Sequence, residues 1–222
     1  MQYLHHKEAG EESLLLKDDA HRYIFKVRRH RKGESIALRN LKNETIYYYK
    51  IAQLDKKEAY LLLENSETLA IKAKKKLHIG WCVIDPKSIE KLLPTLNELG
   101  VESITFIYCK RSQKSFKLDF TRFEKILLNS SQQSGRSEMM RLDVVESLEL
   151  FVEQYPNSVA LNFSDNFLEN GSDIETIVVG CEGGFSDDEM AMFDQKHTVG
   201  LDSPLILKSE SAVCAVACRV LL

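Results

Sequence analysis

The chain has 222 residues, 44% of them hydrophobic and 28% charged, with a net charge of -3. That balance belongs to an ordinary globular protein with one large or two small cores. No run of eighteen apolar residues occurs and the opening carries His5, His6 and several acids, which excludes a spanning helix and a secretory leader and leads us to expect a cytoplasmic protein with no membrane partner.

The charge is unevenly spread. Residues 1–76 hold 17 Lys+Arg against 11 Asp+Glu, and the remainder 13 against 22. A basic first third on an acidic body suggests that the first part meets a polyanion, although a solvated lysine-rich surface would show the same balance. The five cysteines form no C-x-x-C, and Cys214 and Cys218, on one helical face, have no His or third Cys beside them. Buried small hydrophobes are expected, and no metal.

Residues 1–72 read as a small β-rich domain, with strand-sized runs at 14–16, 35–38, 45–51 and 59–63. A helix interrupts them: Ala20, Tyr23, Ile24 and Val27 recur at helical spacing, and Gly33 is placed to end it. Its other face, with Arg22, Lys26, Arg28, Arg29, Arg31 and Lys32, is the most basic patch in the chain. It suits phosphate contact or plain solvation. A charged linker is expected near 70–76.

Residues 73–222 change pattern. Continuous apolar runs at 79–84 and 103–109 are of the buried-strand type, and between them Ile89, Leu92, Leu93, Leu96 and Leu99 mark a helix that ends at Gly100 and is kinked or divided by Pro94. Helices at 120–133, 187–197 and 211–220 and strands at 159–163 and 174–179 complete an alternation that predicts a mostly parallel α/β sheet covered on both faces. Periodicity alone suits an ordinary unknotted, doubly wound sheet.

The loop Gly180-Cys181-Glu182-Gly183-Gly184-Phe185-Ser186 follows the fourth of these strands. Three glycines in five residues permit close backbone approach by a ligand, and Ser186 with Glu189 forms a capping box for the helix that follows. It is neither a G-x-G-x-x-G turn nor a P-loop. Glu182 and the acids at 187–189 would repel phosphate, so a cationic or neutral ligand is favoured; a glycine-rich turn without any ligand also fits.

This loop resembles the G-P-E-G-G-F/L-S-x-x-E signature of the ribosomal RNA small-subunit methyltransferase E family, among the SPOUT methyltransferases. Glu98-Leu99-Gly100-Val101, Gln133-Ser134-Gly135-Arg136 and residues 205–212 are similar to its T-E-L-G-V, E-Q-S-G-R and R-I-L-R-x-E-T-A segments, in the same order. Cys181 stands for the family's proline, Leu205 and Lys208 for arginines, and Ser211 for a threonine; the early arginine is missing.

The resemblance implies a trefoil-knotted methyltransferase domain at 73–222 after an RNA-binding, PUA-like barrel at 1–72. It implies a homodimer that uses S-adenosyl-L-methionine to methylate N3 of a uridine in 16S ribosomal RNA, the family's target being position 1498 in the decoding region. Leu161, Gly180, Glu182, Gly183, Gly184, Leu201, Leu205, Ile206 and Leu207 are then expected to hold the cofactor. Arg136 is the candidate for target recognition or for stabilising the uracil anion, and Glu210 acts on substrate or braces the last helix. Arg22, Arg28, Arg29, Arg31 and Arg111 are the candidate RNA contacts. The last helix is apolar nearly all round and is expected at or beside the dimer interface, with Val216 in the contact. Competing functions are a non-catalytic RNA-binding protein, a methyltransferase of this superfamily with another RNA target, and a dinucleotide-dependent α/β enzyme; the last is weakened by the missing G-x-G-x-x-G.

Overall fold

The computed structural model describes residues 2–222. The chain divides into two compact units, Met1–Lys72 with Leu128–Met139, and Ala73–Leu127 with Met140–Leu222.

In the first unit, β1 (Leu4–His5), β2 (Ser13–Lys17), β3 (Ser35–Arg39), β4 (Thr45–Leu54) and β5 (Glu58–Thr68) form a sheet in the order β1-β3-β4-β5-β2. Alternation decides which side faces in: Leu14 and Leu16 of β2 are buried while Ser13, Leu15 and Lys17 are exposed. These leucines join Ile24, Ile36, Leu38, Tyr49, Ile51 and Leu61 in one core. Arg39 of β3 is also fully buried. Its guanidinium donates to the Glu44 carbonyl (3.0 Å) and the Leu69 carbonyl (2.8 Å), which offsets part of the cost of burying it.

The predicted basic helix is shorter than expected. α1 (Asp18–His21) continues into a π-helical segment, Arg22–Val27, and the chain leaves it with Arg29 at φ 62. Gly33 therefore does not end the helix; it lies in the next turn, at φ +88. The wider π winding still turns Ile24 into the core and leaves Arg22, Lys26, Arg28, Arg29 and Arg31 exposed.

The second unit holds β6 (His78–Cys82), β7 (Ser103–Ile107), β8 (Arg141–Val145), β9 (Val159–Leu161), β10 (Thr176–Val179) and β11 (Thr198–Val199), in the order β11-β9-β10-β6-β7-β8. Every pairing is parallel. The central strand β6 is buried at all five positions, as its unbroken apolar run implies. The edge strand β8 is mostly exposed, and Asp143 interrupts its Leu142, Val144 and Val145, which is why no apolar run announces it.

α2 (Pro86–Leu99) begins on Pro86, runs through Pro94 without dividing and ends at Gly100 in the left-handed conformation. α3 (Phe120–Ser134) follows β7, and α4 (Leu148–Gln154) is a short helix capped by the Ser147 hydroxyl. α5 (Asp187–Met190) is a single turn, with the expected capping box between Ser186 and Glu189. The helix predicted through 197 breaks there. Asp194 Oδ1 accepts from the N–H groups of Lys196 and His197, which starts a separate 3-10 turn, and Phe193 is drawn into the core.

α6 (Ser209–Leu221) packs on α2 and β10. Val213, Val216 and Ala217 are fully buried within this unit, so Val216 is a core residue rather than an exposed contact residue. The cysteine expectation also divides. Cys82, Cys109 and Cys181 are buried, whereas Cys214 is half-buried and Cys218 exposed. Among the described residues no helix is long and apolar enough to cross a membrane, and no cluster could hold a metal.

Candidate functional site

Three neighbouring parallel strands, β11, β9 and β10, end side by side. The chain leaving each of them supplies a wall of one cavity of about 970 Å³, and Ser209 and Ala212 of α6 close it. Open parallel sheets place ligands at this end because the loops diverge there and leave backbone groups uncovered. Leu161, Gly180, Glu182, Gly183, Gly184, Leu201, Leu205, Ile206 and Leu207 all line this cavity.

Backbone conformation explains why glycine stands where it does. Gly184 has φ +66, and its N–H donates to the Cys181 carbonyl at 2.9 Å, closing the loop into a tight turn. At Gly200 the reason is space: a Cβ there would lie 2.1 Å from the Ser164 carbonyl oxygen. The close approach lets Gly200 N–H donate to the Asn166 carbonyl (2.9 Å) while Leu168 N–H donates to the Gly200 carbonyl (2.8 Å). The walls after β9 and β11 are thereby stitched together.

The glycine loop is held from outside as well. Arg111, in the loop after β7, donates from Nη1 to the Gly183 carbonyl at 2.7 Å. Glu189, only 1% exposed, accepts from Ser186 N–H (2.8 Å) and from Lys110 N–H (2.7 Å). One buried carboxylate therefore ties the loop after β7 to the start of α5. The Lys110–Asp188 ion pair beside it, at 2.7 Å, is exposed and contributes little.

The lining has a clear electrostatic sign. Asp165, Glu182 and Asp202 face the cavity, and no Lys, Arg or His is found among the described residues that line it. Beneath the loop, Cys109 and Cys181 have their sulfurs 3.6 Å apart. The hydrogen bond to Cys109, together with burial, raises the Cys181 thiol, while hydrogen bonds from Cys181 and Cys82 lower Cys109.

The other expected residues lie elsewhere. Arg136 belongs to the first unit, is 4% exposed and pairs with Glu138 at 3.5 Å, and its carbonyl accepts from Tyr3 Oη at 2.8 Å. It does not line the cavity. Glu210 lies in the first turn of α6, where the helix dipole favours an acid, and its Oε2 is buried with no hydrogen-bond partner among the described residues. Sequence reasoning missed Asp165, Asp202 and Ser209. Asp165 and Asp202 fall in loops without a local motif, and nothing local marks a serine hydroxyl as inward-facing.

A parallel sheet with this cavity at its carboxyl end is joined by a match of residues 72–221 to the model of the RNA methyltransferase domain, which defines the class. Two ribosomal RNA small subunit methyltransferase E proteins from Helicobacter pylori strains are each 36% identical over 221 residues, covering 98% of both chains. One from Aquifex aeolicus is 25% identical over 224 residues, 96% of each. The chain belongs to the ribosomal RNA small subunit methyltransferase E family. Its fold is similar to that of the Neisseria gonorrhoeae ribosomal RNA small subunit methyltransferase E bound to S-adenosyl methionine, with TM-score 0.77, 18% identity and coverage of 98% of this chain and 95% of that one. A Legionella pneumophila protein solved with bound cofactor SAM gives TM-score 0.78 at 22% identity, covering 97% and 94%.

Proposed function

We propose that this chain binds S-adenosylmethionine in the cavity at the ends of β9, β10 and β11 and methylates N3 of a uridine in 16S ribosomal RNA. The observation that carries the reading is the sign of the lining: three carboxylates and, among the described residues, no cation. Such a wall suits a ligand bearing a sulfonium and an ammonium, and would repel the pyrophosphate of a dinucleotide. The residues also fit in shape, since Gly180, Gly183 and Gly184 bring no side chain to the cavity and Leu161, Leu201, Leu205, Ile206 and Leu207 offer apolar walls.

When bound, the cofactor supplies an activated methyl group with a good leaving group, so the protein's part is to position it. Glu182 orients the loop or meets a cofactor hydroxyl. Uracil N3 must lose a proton to become nucleophilic, and Arg136 serves target recognition or stabilises that anion. Glu210 acts on substrate or braces α6. Arg22, Arg28, Arg29 and Arg31, on a first unit we read as the PUA-like domain, meet RNA phosphates, with Arg111 as a further contact.

The trefoil knot and homodimer belong to the same reading. The family match supports the first. The exposed side chains of Phe163, Leu205, Ile206 and Leu222 support coverage by a second copy, and we read the protein as cytoplasmic. Calorimetry with S-adenosylmethionine and NAD, followed by transfer of labelled methyl to 16S ribosomal RNA or small subunits and mapping of the modified base, tests the reading. Binding of NAD in preference, or RNA binding without any transfer, overturns it.

A further inference from the structure

A hydrogen-bond relay runs from the middle of the sheet to the cavity. Trp81 of β6, fully buried, donates from Nε1 to Ser209 Oγ at 2.9 Å, and Ser209 Oγ donates to the Gly180 carbonyl at 2.5 Å. Its direction is unambiguous. An indole N–H can only donate and a carbonyl oxygen can only accept, so the single serine proton is committed to Gly180.

Gly180 is the first residue past β10, where the sheet stops supplying hydrogen bonds to the backbone. A carbonyl left unmatched at this part-buried position would be costly, and the loop would turn it to find a partner. Because the peptide unit is planar, fixing the Gly180 carbonyl also fixes the direction of the Cys181 N–H. Ser209 itself is 5% exposed and lines the cavity, beside the loop it restrains.

We propose that Ser209 is a positioning residue that presets the Gly180–Cys181 peptide for cofactor binding, with Trp81 holding its hydroxyl in the donating orientation. The inference rests on the reading that the cavity takes S-adenosylmethionine. Preorganisation of this kind acts on affinity rather than on the transfer step, because the loop adopts its bound form without an ordering cost.

The test is isothermal calorimetry with S-adenosylmethionine, together with steady-state kinetics and tryptophan fluorescence. The expected result for Ser209→Ala is about tenfold weaker cofactor binding, a KM raised by about the same factor and kcat changed less than about twofold. Ser209→Thr, which keeps the hydroxyl, restores the affinity. Trp81 is the chain's single tryptophan. Its emission should respond to cofactor in the wild type, and this response should be lost in Ser209→Ala at saturation.

Trp81→Phe keeps the ring in the core without the N–H, and should weaken cofactor binding about threefold. It therefore supplies the decision if Ser209→Ala does not fold. Wild-type affinity in Ser209→Ala, or in Trp81→Phe when that variant decides, overturns the inference while leaving the cavity's assignment intact. A wild-type protein that fails to bind S-adenosylmethionine overturns the assignment itself.

Discussion

The two units handle charge in opposite ways. The basic surface of the first is made of exposed arginines on and beyond a π-helical segment, held by little besides Arg28 donating to Tyr23 Oη at 3.1 Å. The cavity of the second is built on a fixed backbone: glycines at set positions, three lining acids, Arg111 and Glu189 clamping the loop from outside and Ser209 holding it from the cavity wall. A polyanion is met well by adaptable cations that need no fixed geometry, whereas a small cationic ligand must find its partners already in place. Damage should therefore be abrupt in the second unit and graded in the first.

The most abrupt break is expected at Gly200. Gly200→Val puts a branched side chain where even a Cβ would meet the Ser164 carbonyl at 2.1 Å, so the walls after β9 and β11 must separate. A loss of stability of about 3 kcal/mol or more, read by denaturant unfolding, with no measurable cofactor binding, is the expected outcome. A stable variant that still binds would show that the cavity is not rigidly built.

Acid sharpens the contrast next. His78 of β6 is buried, touches Thr105 Oγ1 at 2.8 Å and packs against the tilted Tyr155 ring; burial lowers its pKa from 6.5 to about 4. Above pH 6.5 the histidine is neutral in both states and the folded state bears no penalty. As pH falls from 6.5 toward 4 the unfolded chain takes up a proton that the folded one refuses, removing about 3 kcal/mol by pH 4. Unfolding measured across this window should show that slope in the wild type and lose most of it in His78→Gln.

Charge reversal at Arg28, Arg29 and Arg31 should give the graded response. RNA affinity should fall roughly 100-fold at low salt, each lost phosphate contact lowering the log-log salt slope by about one unit or less, while cofactor affinity stays put. An unchanged slope would assign that surface to solvent. The smallest effect is expected at the clamp. Arg111→Ala removes the bond to the Gly183 carbonyl and should weaken cofactor binding about fivefold in calorimetry, through loop mobility, without changing the fold. Full affinity in that variant would mean that the loop holds itself.

Much of the fold was legible because local rules act within a few residues. The apolar runs of β2, β6 and β7, the end of α2 at Gly100 and the Ser186–Glu189 capping box are each written in short stretches of chain. The short, mostly exposed β8 and the seven-residue α4 carry too little periodicity to announce themselves. The separate 3-10 turn at Gln195–His197 depends on Asp194 accepting from backbone N–H groups.

The sequence by itself determined the alternation of strands and helices, the glycine loop and its acid neighbours, and through ordered motifs the family. Only the tertiary structure decided that Val216 is core, that Arg136 is buried, and that Asp165, Asp202 and Ser209 share one cavity with the glycine loop. Those facts depend on residues far apart in the chain. Strand order brings 161, 180 and 200 together, and no local propensity records which strands become neighbours.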